Sequence, residues 1–540
     1  MPGKYFLSLC MAILLSLSAL GQQNPATPTV KYAIQKSYKA CIRAFGFDTT
    51  RQQQTSSPFS GVVVSADGYI LTVAHAVVPE RTYKITFPDG TETIAVGLGR
   101  IGWPDSANVP DVAIMKIVRS GNWPFAEMGW SENVKEGDPV IGMSYPETMT
   151  VLFPTVRYGV VTGMDGYGRF MGTTSAMEPG DSGGPIFDIY GRVIGLNSRC
   201  NIVENDNKEV RISFYHQYWS ALRKAVDYPG WPEQSDKYIA PERGIVPEVK
   251  LPEIKGTACV AISNGTQAAA FGTIIDATLV PFKAKGTYII SKSSEVNEEP
   301  LVTIGKDKPV KAQVLARDKA RDLVLLFIKK KTLPGLGTDI AAAPETGTFL
   351  GSIMADGKTK PAITSCTPFD LTLKYSAGYL GAPAFFRNNA VTLRPPHTNS
   401  PAEKAGLKEG DRIMKVNEAP QLKAADYGAE LMRYFPGDTV TLFVQRNDSS
   451  STQRVVLGPW PERRSDHPAD NFAGGKSSRR DGFSNVFLHD GRVKANECGS
   501  PVFDANNKFC GVNIARFSRT ITVVLPATEV LAWMKSLQGS

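Results

Sequence analysis

The sequence predicts an all-β protein in which one β-rich unit occurs twice and a small α/β module interrupts the second copy. Three observations predict it. Residues from about 55 to 225 run as short β-branched stretches broken by Gly, Asp and Asn turns, the pattern of a barrel or sandwich. Four motifs return later in the same order: KACIRAF at 39–45 as TACVAIS at 257–263, GYILTVAHAV at 68–77 as TYIISKSSEV at 287–296, DVAIMKI at 111–117 as DLVLLFI at 322–328, and SGGPIFD at 182–188 as CGSPVFD at 498–504. Asp111 and Ser182 stand 71 residues apart, whereas their counterparts Asp322 and Cys498 stand 176 apart, and the excess of 105 residues is the inserted module.

Taken in order, residues 1–21 read as an export leader: Lys4 supplies the charge, Phe6 to Leu20 the apolar run, and Ala19-Leu20-Gly21 a small-residue cleavage site. Cys10 lies inside that run behind Leu9 rather than after a small residue at its end, so lipid attachment is not expected. The run is shorter than the roughly 20 apolar residues of a membrane span, and none comparable follows. The first unit occupies 22–227 and closes with an expected helix over Tyr215 to Asp227. A proline-rich extended linker covers 228–255. The second unit takes 256–376 and resumes at 481–540. Within the module at 377–458, Ser400 caps a short helix that Pro401 opens and Gly406 ends, a second helix runs from about 423 to 434, and TVTLFVQR at 439–446 is a strand. Residues 459–480, rich in Arg, Ser, Asp and Gly, read as a flexible return linker.

The net charge is +8, and the basic clusters at Lys329 to Lys331, Arg463-Arg464 and Arg479-Arg480 lack interleaved aromatics, which reads as solvated surface rather than a nucleic-acid site. Six cysteines follow the leader; as disulfides they allow 15 pairings, and buried free thiols are the alternative. No cofactor motif and no close metal-ligand spacing occurs.

Three segments carry chemistry. A strand, an Asp-Gly turn and a second strand end in His75, a base fixed at a strand end. Asp111 opens an apolar strand, where a carboxylate can accept the imidazole N–H and fix its tautomer. EPGDSGGP at 178–185 carries Ser182 in a glycine-rich loop that lets the N–H groups of Gly180 and Ser182 converge as an oxyanion hole.

The order His75, Asp111, Ser182, with TVAHAV, DVAIMKI, GDSGGP and VIGLNS around them, resembles the chymotrypsin-fold serine proteases and, among them, the HtrA/DegP family. The resemblance implies that each unit is a chymotrypsin-like double β-barrel; the module at 377–458, with SPAEKAGLKEGDRIMKVNE at 400–418, the second helix and TVTLFVQR, resembles a PDZ domain whose peptide-receiving loop is GYLGAP at 378–383. Tyr379, Leu380, Gly381 and Ala382 would then receive a peptide C-terminus. Two departures stand out. HtrA proteins usually carry Asn before the serine; Asp181 is typical of digestive enzymes, where it pairs with a newly cleaved N-terminus, and no partner for it is evident here. Ordinary HtrA chains also place PDZ domains directly after one protease domain. Where enzymes that cut after Lys or Arg carry Asp, six residues before the serine, this chain has Ala176; with Leu196 on the adjacent strand, that implies an aliphatic preference.

The second copy is degenerate. Ser294 replaces the histidine, Asp322 keeps the aspartate, and Cys498 takes the nucleophile's place with no aligned base; His489 is expected on the surface or on a strand. The resemblance thus implies an exported, periplasmic or extracellular, ATP-independent endopeptidase of unfolded or mislocalised proteins. Its inactive copy would hold the PDZ-like domain against the active barrel. Homo-oligomers enter by family analogy alone. The rival reading is a non-catalytic peptide-binding chaperone or scaffold.

Overall fold

The computed structural model describes residues 29–102, 109–149, 151–165, 169–254, 258–329, 333–421, 423–461 and 465–538. The leader at 1–21 lies outside them, as do Lys330, Lys331, Arg463 and Arg464.

The protein is mostly β: two double barrels and one small α/β module. Barrel A contains Cys41–Asp48, Phe59–Val63, Tyr69–Thr72, Thr82–Thr86, Glu92–Ile101 and Val112–Ile117. It closes because Glu92–Ile101 is long enough to pair with both Thr82–Thr86 and Val112–Ile117. Barrel B is a closed ring of Pro139–Ser144, Thr155–Met164, Phe170–Thr173, Pro185–Phe187, Val193–Cys200 and Asn207–Arg211.

Barrel C repeats barrel A with one change. Its seven-stranded sheet begins at Val310–Lys311 and ends at Gln313–Asp318, strands separated in the chain only by Ala312. A single bent strand therefore joins the two edges, as Glu92–Ile101 does in barrel A. Barrel D is a closed ring of Phe349–Ile353, Thr359–Leu371, Phe483–His489, Pro501–Asp504, Phe509–Arg516 and Thr522–Pro526. The module leaves the ring after Leu371 and returns at Phe483, residues paired across neighbouring strands, so it departs and rejoins at one point.

The module is a sheet in the order Ala384–Arg387, Ala390–Leu393, Arg412–Val416, Thr439–Arg446, Ser449–Val456, packed with helices Pro401–Lys404 and Ala424–Leu431. Ser400 Oγ accepts the Glu403 N–H at 3.2 Å, as its cap position predicts. Its ties run to the second unit, through the Lys319–Asp438 ion pair and through Arg479 stacked over Phe435.

The two double barrels share cores. Ile363 of the second unit is buried among Val62, Ile141, Val156 and Phe187 of the first, and Met149 of the first joins Leu371, Phe483 and Phe517 of the second. Burying each such side chain contributes about 1.5–3 kcal/mol. The helix Val30–Ser37 seals the seam, burying Val30, Ala33 and Ile34 in the first core while Lys31 pairs with Glu345 of the second unit at 3.0 Å.

Three expectations change, and the open alternative for the cysteines is decided. The helix expected over 215–227 starts at Ile212, breaks at Tyr218 and ends at Leu222. The proline-rich segment is extended but tied down, with Arg243 gripping Asp138 through two bonds of 2.7 Å. All six described cysteines are free thiols. The return segment is not uniformly a solvated linker: Ser477, Arg479 and Asp481 are buried, because the second unit closes over them. No helix among the described residues is long and apolar enough to cross a membrane.

Candidate active site

His75 sits just beyond the strand Tyr69–Thr72, and Asp111 immediately before Val112–Ile117, its neighbour in barrel A. Asp111 Oδ1 accepts the His75 backbone N–H at 2.9 Å, and Oδ2 lies 2.6 Å from His75 Nδ1. Ser198 Oγ, from barrel B, donates to the same Oδ2 at 2.7 Å. Burial pushes the Asp111 carboxyl up, but the hydrogen bonds and charge of His75, with Ser198, outweigh it and hold the group below its ordinary range. The imidazole is anchored on one edge while its side chain stays 32% exposed to the cleft. Ser198 was not foreseen; its only signal is its place in the return strand VIGLNS.

Ser182 lies in the loop between Phe170–Thr173 and Pro185–Phe187, and its carbonyl accepts the Ser60 N–H from barrel A at 2.9 Å. No hydrogen bond joins Ser182 Oγ to His75 among the described residues; such contacts often tighten only with substrate bound. The Pro179 carbonyl is drawn away by the Glu147 N–H at 2.7 Å and the Gly180 carbonyl by Ser60 Oγ at 2.8 Å, while neither the Gly180 nor the Ser182 N–H bonds a backbone acceptor among the described residues. Gly180 has φ +93°, and a Cβ there would fall 2.2 Å from Glu147 N, so only glycine fits.

Asp181 does have a partner. Arg157, on the strand Thr155–Met164, reaches it through Nη1–Oδ2 at 2.5 Å and Nη2–Oδ1 at 3.1 Å. Both side chains are all but fully buried. Ser144 Oγ and the Glu178 N–H complete the carboxylate's shell at 2.9 and 2.8 Å, and Arg157 also holds the Ala176 carbonyl at 3.1 Å. An internal guanidinium thus pairs the Asp181 carboxylate and binds both ends of the loop that carries Gly180.

The two residues expected in the specificity pocket divide. Ala176 lies on the segment tied to Arg157. Leu196 is fully buried in the core with Val210, Phe170 and Tyr215, and alternate residues of its strand face opposite sides. The far face of that strand presents Asn197, directly opposite Glu209. Thr173 Oγ1 donates to Glu209 Oε1 at 2.8 Å and accepts the Ser175 N–H at 3.2 Å, which connects Glu209 to the segment leading into Ala176. Burial pushes the Glu209 carboxyl up to about 8.

The second unit reproduces this frame without its chemistry. Asp322 Oδ1 accepts the Ser294 N–H at 2.7 Å, as Asp111 accepts that of His75, and Oδ2 accepts Ser294 Oγ at 2.9 Å. The ring's absence is compensated by a residue the sequence reading passed over: Lys292, fully buried, places Nζ 2.6 Å from Asp322 Oδ2 and 2.7 Å from the Arg479 carbonyl. Cys498 is fully buried, and desolvation pushes its thiol up despite the charge of Lys292, so it is a poor nucleophile. The cleft is also filled by the chain itself. Ser477 N–H donates to the Arg516 carbonyl at 2.9 Å, its Oγ accepts the Arg516 N–H at 3.0 Å, and it lies 3.6 Å from Cys498 Sγ. His489 is a strand residue but not a surface one; burial lowers it to about 4. Removing one member of a buried ion pair costs about 3–5 kcal/mol. Lys292→Met should therefore lower the second unit's unfolding midpoint in thermal denaturation. Lys292→Met/Asp322→Asn should recover most of the loss, since Asn tolerates the φ of +56° at position 322.

In the module, Tyr379 pairs with Gly458 through bonds of 2.7 and 3.0 Å, and the Leu380 and Gly381 carbonyls accept Ala402 and His397 N–H groups. Gly381 has φ +79° and its missing Cβ would meet Ser400 at 2.3 Å. Tyr427 OH from the second helix binds the Ala382 carbonyl at 2.9 Å. The strand that follows, Ala384–Arg387, is an edge strand.

Two segments match known domain families: residues 59–196 a trypsin-like peptidase domain, and 378–457 a PDZ domain. A probable periplasmic serine endoprotease, DegP-like, of Ectopseudomonas mendocina is 34% identical over 155 residues, 28% of this chain and 31% of that protein. A putative serine protease, HhoB, of Synechocystis sp. is 34% identical over 158 residues, 27% of this chain and 35% of that protein. The chain thus spans about a third of the length of these curated relatives. A solved HtrA-type protease, AlgW with a tripeptide, aligns over 81% of this chain and 99% of its own at 16% identity and a TM-score of 0.30.

Proposed function

We propose that this HtrA-like chain, with its trypsin-like peptidase domain and PDZ domain, is an exported serine endopeptidase in which Ser182 is the nucleophile, His75 the general base and Asp111 its orienting partner. The observation that carries the reading is the Asp111–His75 pair, together with a serine loop whose Gly180 and Ser182 N–H groups bond no backbone acceptor among the described residues. His75 Nδ1–H donates to Asp111, which leaves the Nε2 lone pair to take the Ser182 proton as Oγ attacks a peptide carbonyl. The tetrahedral oxyanion is received by the N–H groups of Gly180 and Ser182, each such donor being worth about 100 to 1000-fold in turnover. Protonated His75 then delivers its proton to the leaving amine, and water hydrolyses the acyl-enzyme by the same path.

In this reading the substrates are unfolded or mislocalised proteins outside the cytoplasm, a compartment supported by the periplasmic DegP-like relatives. The PDZ module captures peptide C-termini: the 379–382 loop receives the carboxylate, and the peptide adds a strand to Ala384–Arg387. Digestion of a reduced, alkylated protein and of its native counterpart by the full chain tests it. Fragments only from the unfolded form, and none from Ser182→Ala, are expected; equal stability of the unfolded protein in both reactions contradicts it.

The second double barrel is a degenerate copy whose work is to brace the first. Ser518 and Thr520 donate to Glu178, four residues before the nucleophile, at 2.9 and 3.0 Å, and Arg519 binds the Val203 carbonyl at 3.1 Å. Burial and the nearby Asp181 charge both push the Glu178 carboxyl up, so it depends on these partners. Ser518→Ala/Thr520→Val strips two partners from a buried carboxyl, each worth about 1–3 kcal/mol. The expected outcome is a several-fold slower reaction of Ser182 with a fluorophosphonate, read by stopped-time labelling, although neither residue touches the triad.

A further inference from the structure

Among the described residues of barrel B, three buried side-chain acceptor oxygens stand unpaired: Asn197 Oδ1, Asn207 Oδ1 and Glu209 Oε2. Each side chain is at least 98% buried. All three lie on one face. Asn197 is paired with Glu209 across neighbouring strands, Asn207 is two residues from Glu209, and Thr173 joins them, its carbonyl accepting Asn207 Nδ2 at 3.2 Å and its hydroxyl donating to Glu209. The group adjoins the nucleophile's loop: Gly183 N–H donates to the Asn197 carbonyl at 2.8 Å and Asn197 N–H to that of Gly184 at 2.9 Å. Through its bonds to Glu209 and to the Ser175 N–H, Thr173 connects the group to the segment leading into Ala176.

The second unit offers an internal comparison. Asn513 holds the place of Asn197, with Gly499 N–H donating to its carbonyl at 2.7 Å and its N–H to that of Ser500 at 3.0 Å. There every polar atom is satisfied. Asn513 Oδ1 lies 2.7 Å from His489 Nε2, and Nδ2 donates to Ser352 and Ser500 Oγ at 2.9 Å each. Matching strand registers put Val524 where Glu209 stands, and Gly142 and Gly184 where Ser352 and Ser500 stand. The degenerate copy thus satisfies its asparagine with a histidine and two hydroxyls. The first copy has glycines in place of those hydroxyls and an acid in place of Val524.

Buried acceptors without donors are costly, and a site built from them selects a ligand that brings the donors. We infer that Glu209, with Asn197 and Asn207, forms the floor of the specificity pocket and selects a lysine or arginine before the scissile bond. The inference rests on the protease reading above, and it reverses the aliphatic preference that Ala176 implies. The acid is supplied from the strand Asn207–Arg211 instead of from the loop. An entering ammonium or guanidinium meets three acceptors.

The test compares two peptidyl phosphonate probes on the full chain, identical except for lysine or norleucine at the reacting position. Norleucine has the same carbon chain without the ammonium. The lysine probe is expected to react at least ~100-fold faster, and Glu209→Gln to reduce that ratio to below about 10-fold. Because the readout is a ratio, general loss of activity cannot imitate it. Faster reaction of norleucine in the unaltered chain, or a ratio unmoved by Glu209→Gln, overturns the inference. Calorimetric titration of benzamidine into Ser182→Ala reads the pocket without catalysis: binding that Glu209→Gln or Asn197→Ala abolishes supports it, and no binding refutes it. A failed protease reading with intact benzamidine binding is thereby told apart from a failed pocket.

Discussion

Asp111→Asn should lower kcat about 10⁴-fold with little change in KM. The His75 backbone N–H donates to Oδ1, so that atom must remain an oxygen, and the new NH₂ replaces Oδ2, where it faces His75 Nδ1. The ring must then accept at Nδ1 and carry its proton on Nε2, the atom that has to receive the Ser182 proton. Steady-state kinetics on a peptide substrate checks this; a loss below about tenfold would show that His75 does not depend on Asp111 for its tautomer.

Arg157→Ala should cost about 100 to 1000-fold in kcat/KM, the scale of losing an oxyanion donor, together with about 3–5 kcal/mol of stability. The side chain touches no reacting atom. It acts through Asp181 and the Ala176 carbonyl, the two points that hold the Gly180 turn in place. Arg157→Ala/Asp181→Asn removes the stranded charge and should restore most of the stability and part of the rate. That pair corresponds to the Asn usual at this position in HtrA proteins, which carries no charge to balance. Thermal unfolding and kcat measured on both variants separate a positioning role from a merely structural one: stability recovered with no recovery of rate would argue against positioning.

How much of this was legible in the sequence depends on whether the signal is local. His75, Asp111 and Ser182 each lie in a motif whose turn and strand residues fix their backbone, and the repeated order of those motifs disclosed the second unit and the insertion. Arg157 was invisible because its partner is 24 residues away on a loop, and nothing around VRYGVV marks an arginine that will be buried. Lys292 was readable as a lysine ending an apolar strand, but only the fold shows that it fills the space of a missing imidazole. Composition misled at 477–481, where Ser, Arg and Asp suggested solvent exposure. The backbone there is bonded to Arg516, and Arg479 stacks on Phe435 and Phe483. Asn197 was passed over for a simpler reason: strand alternation sets it on the opposite face from Leu196, and only the register shows that it lies across from Glu209.

The central claim is two protease folds and one working site. Reaction of the full chain with a fluorophosphonate at pH 8, followed by mass-spectrometric mapping of the adduct, tests it most directly. The account predicts a single adduct on Ser182 that vanishes in Ser182→Ala, with none on Ser294 or Cys498. No adduct on the unaltered chain, or one that persists on Cys498 after Ser182→Ala, would contradict it.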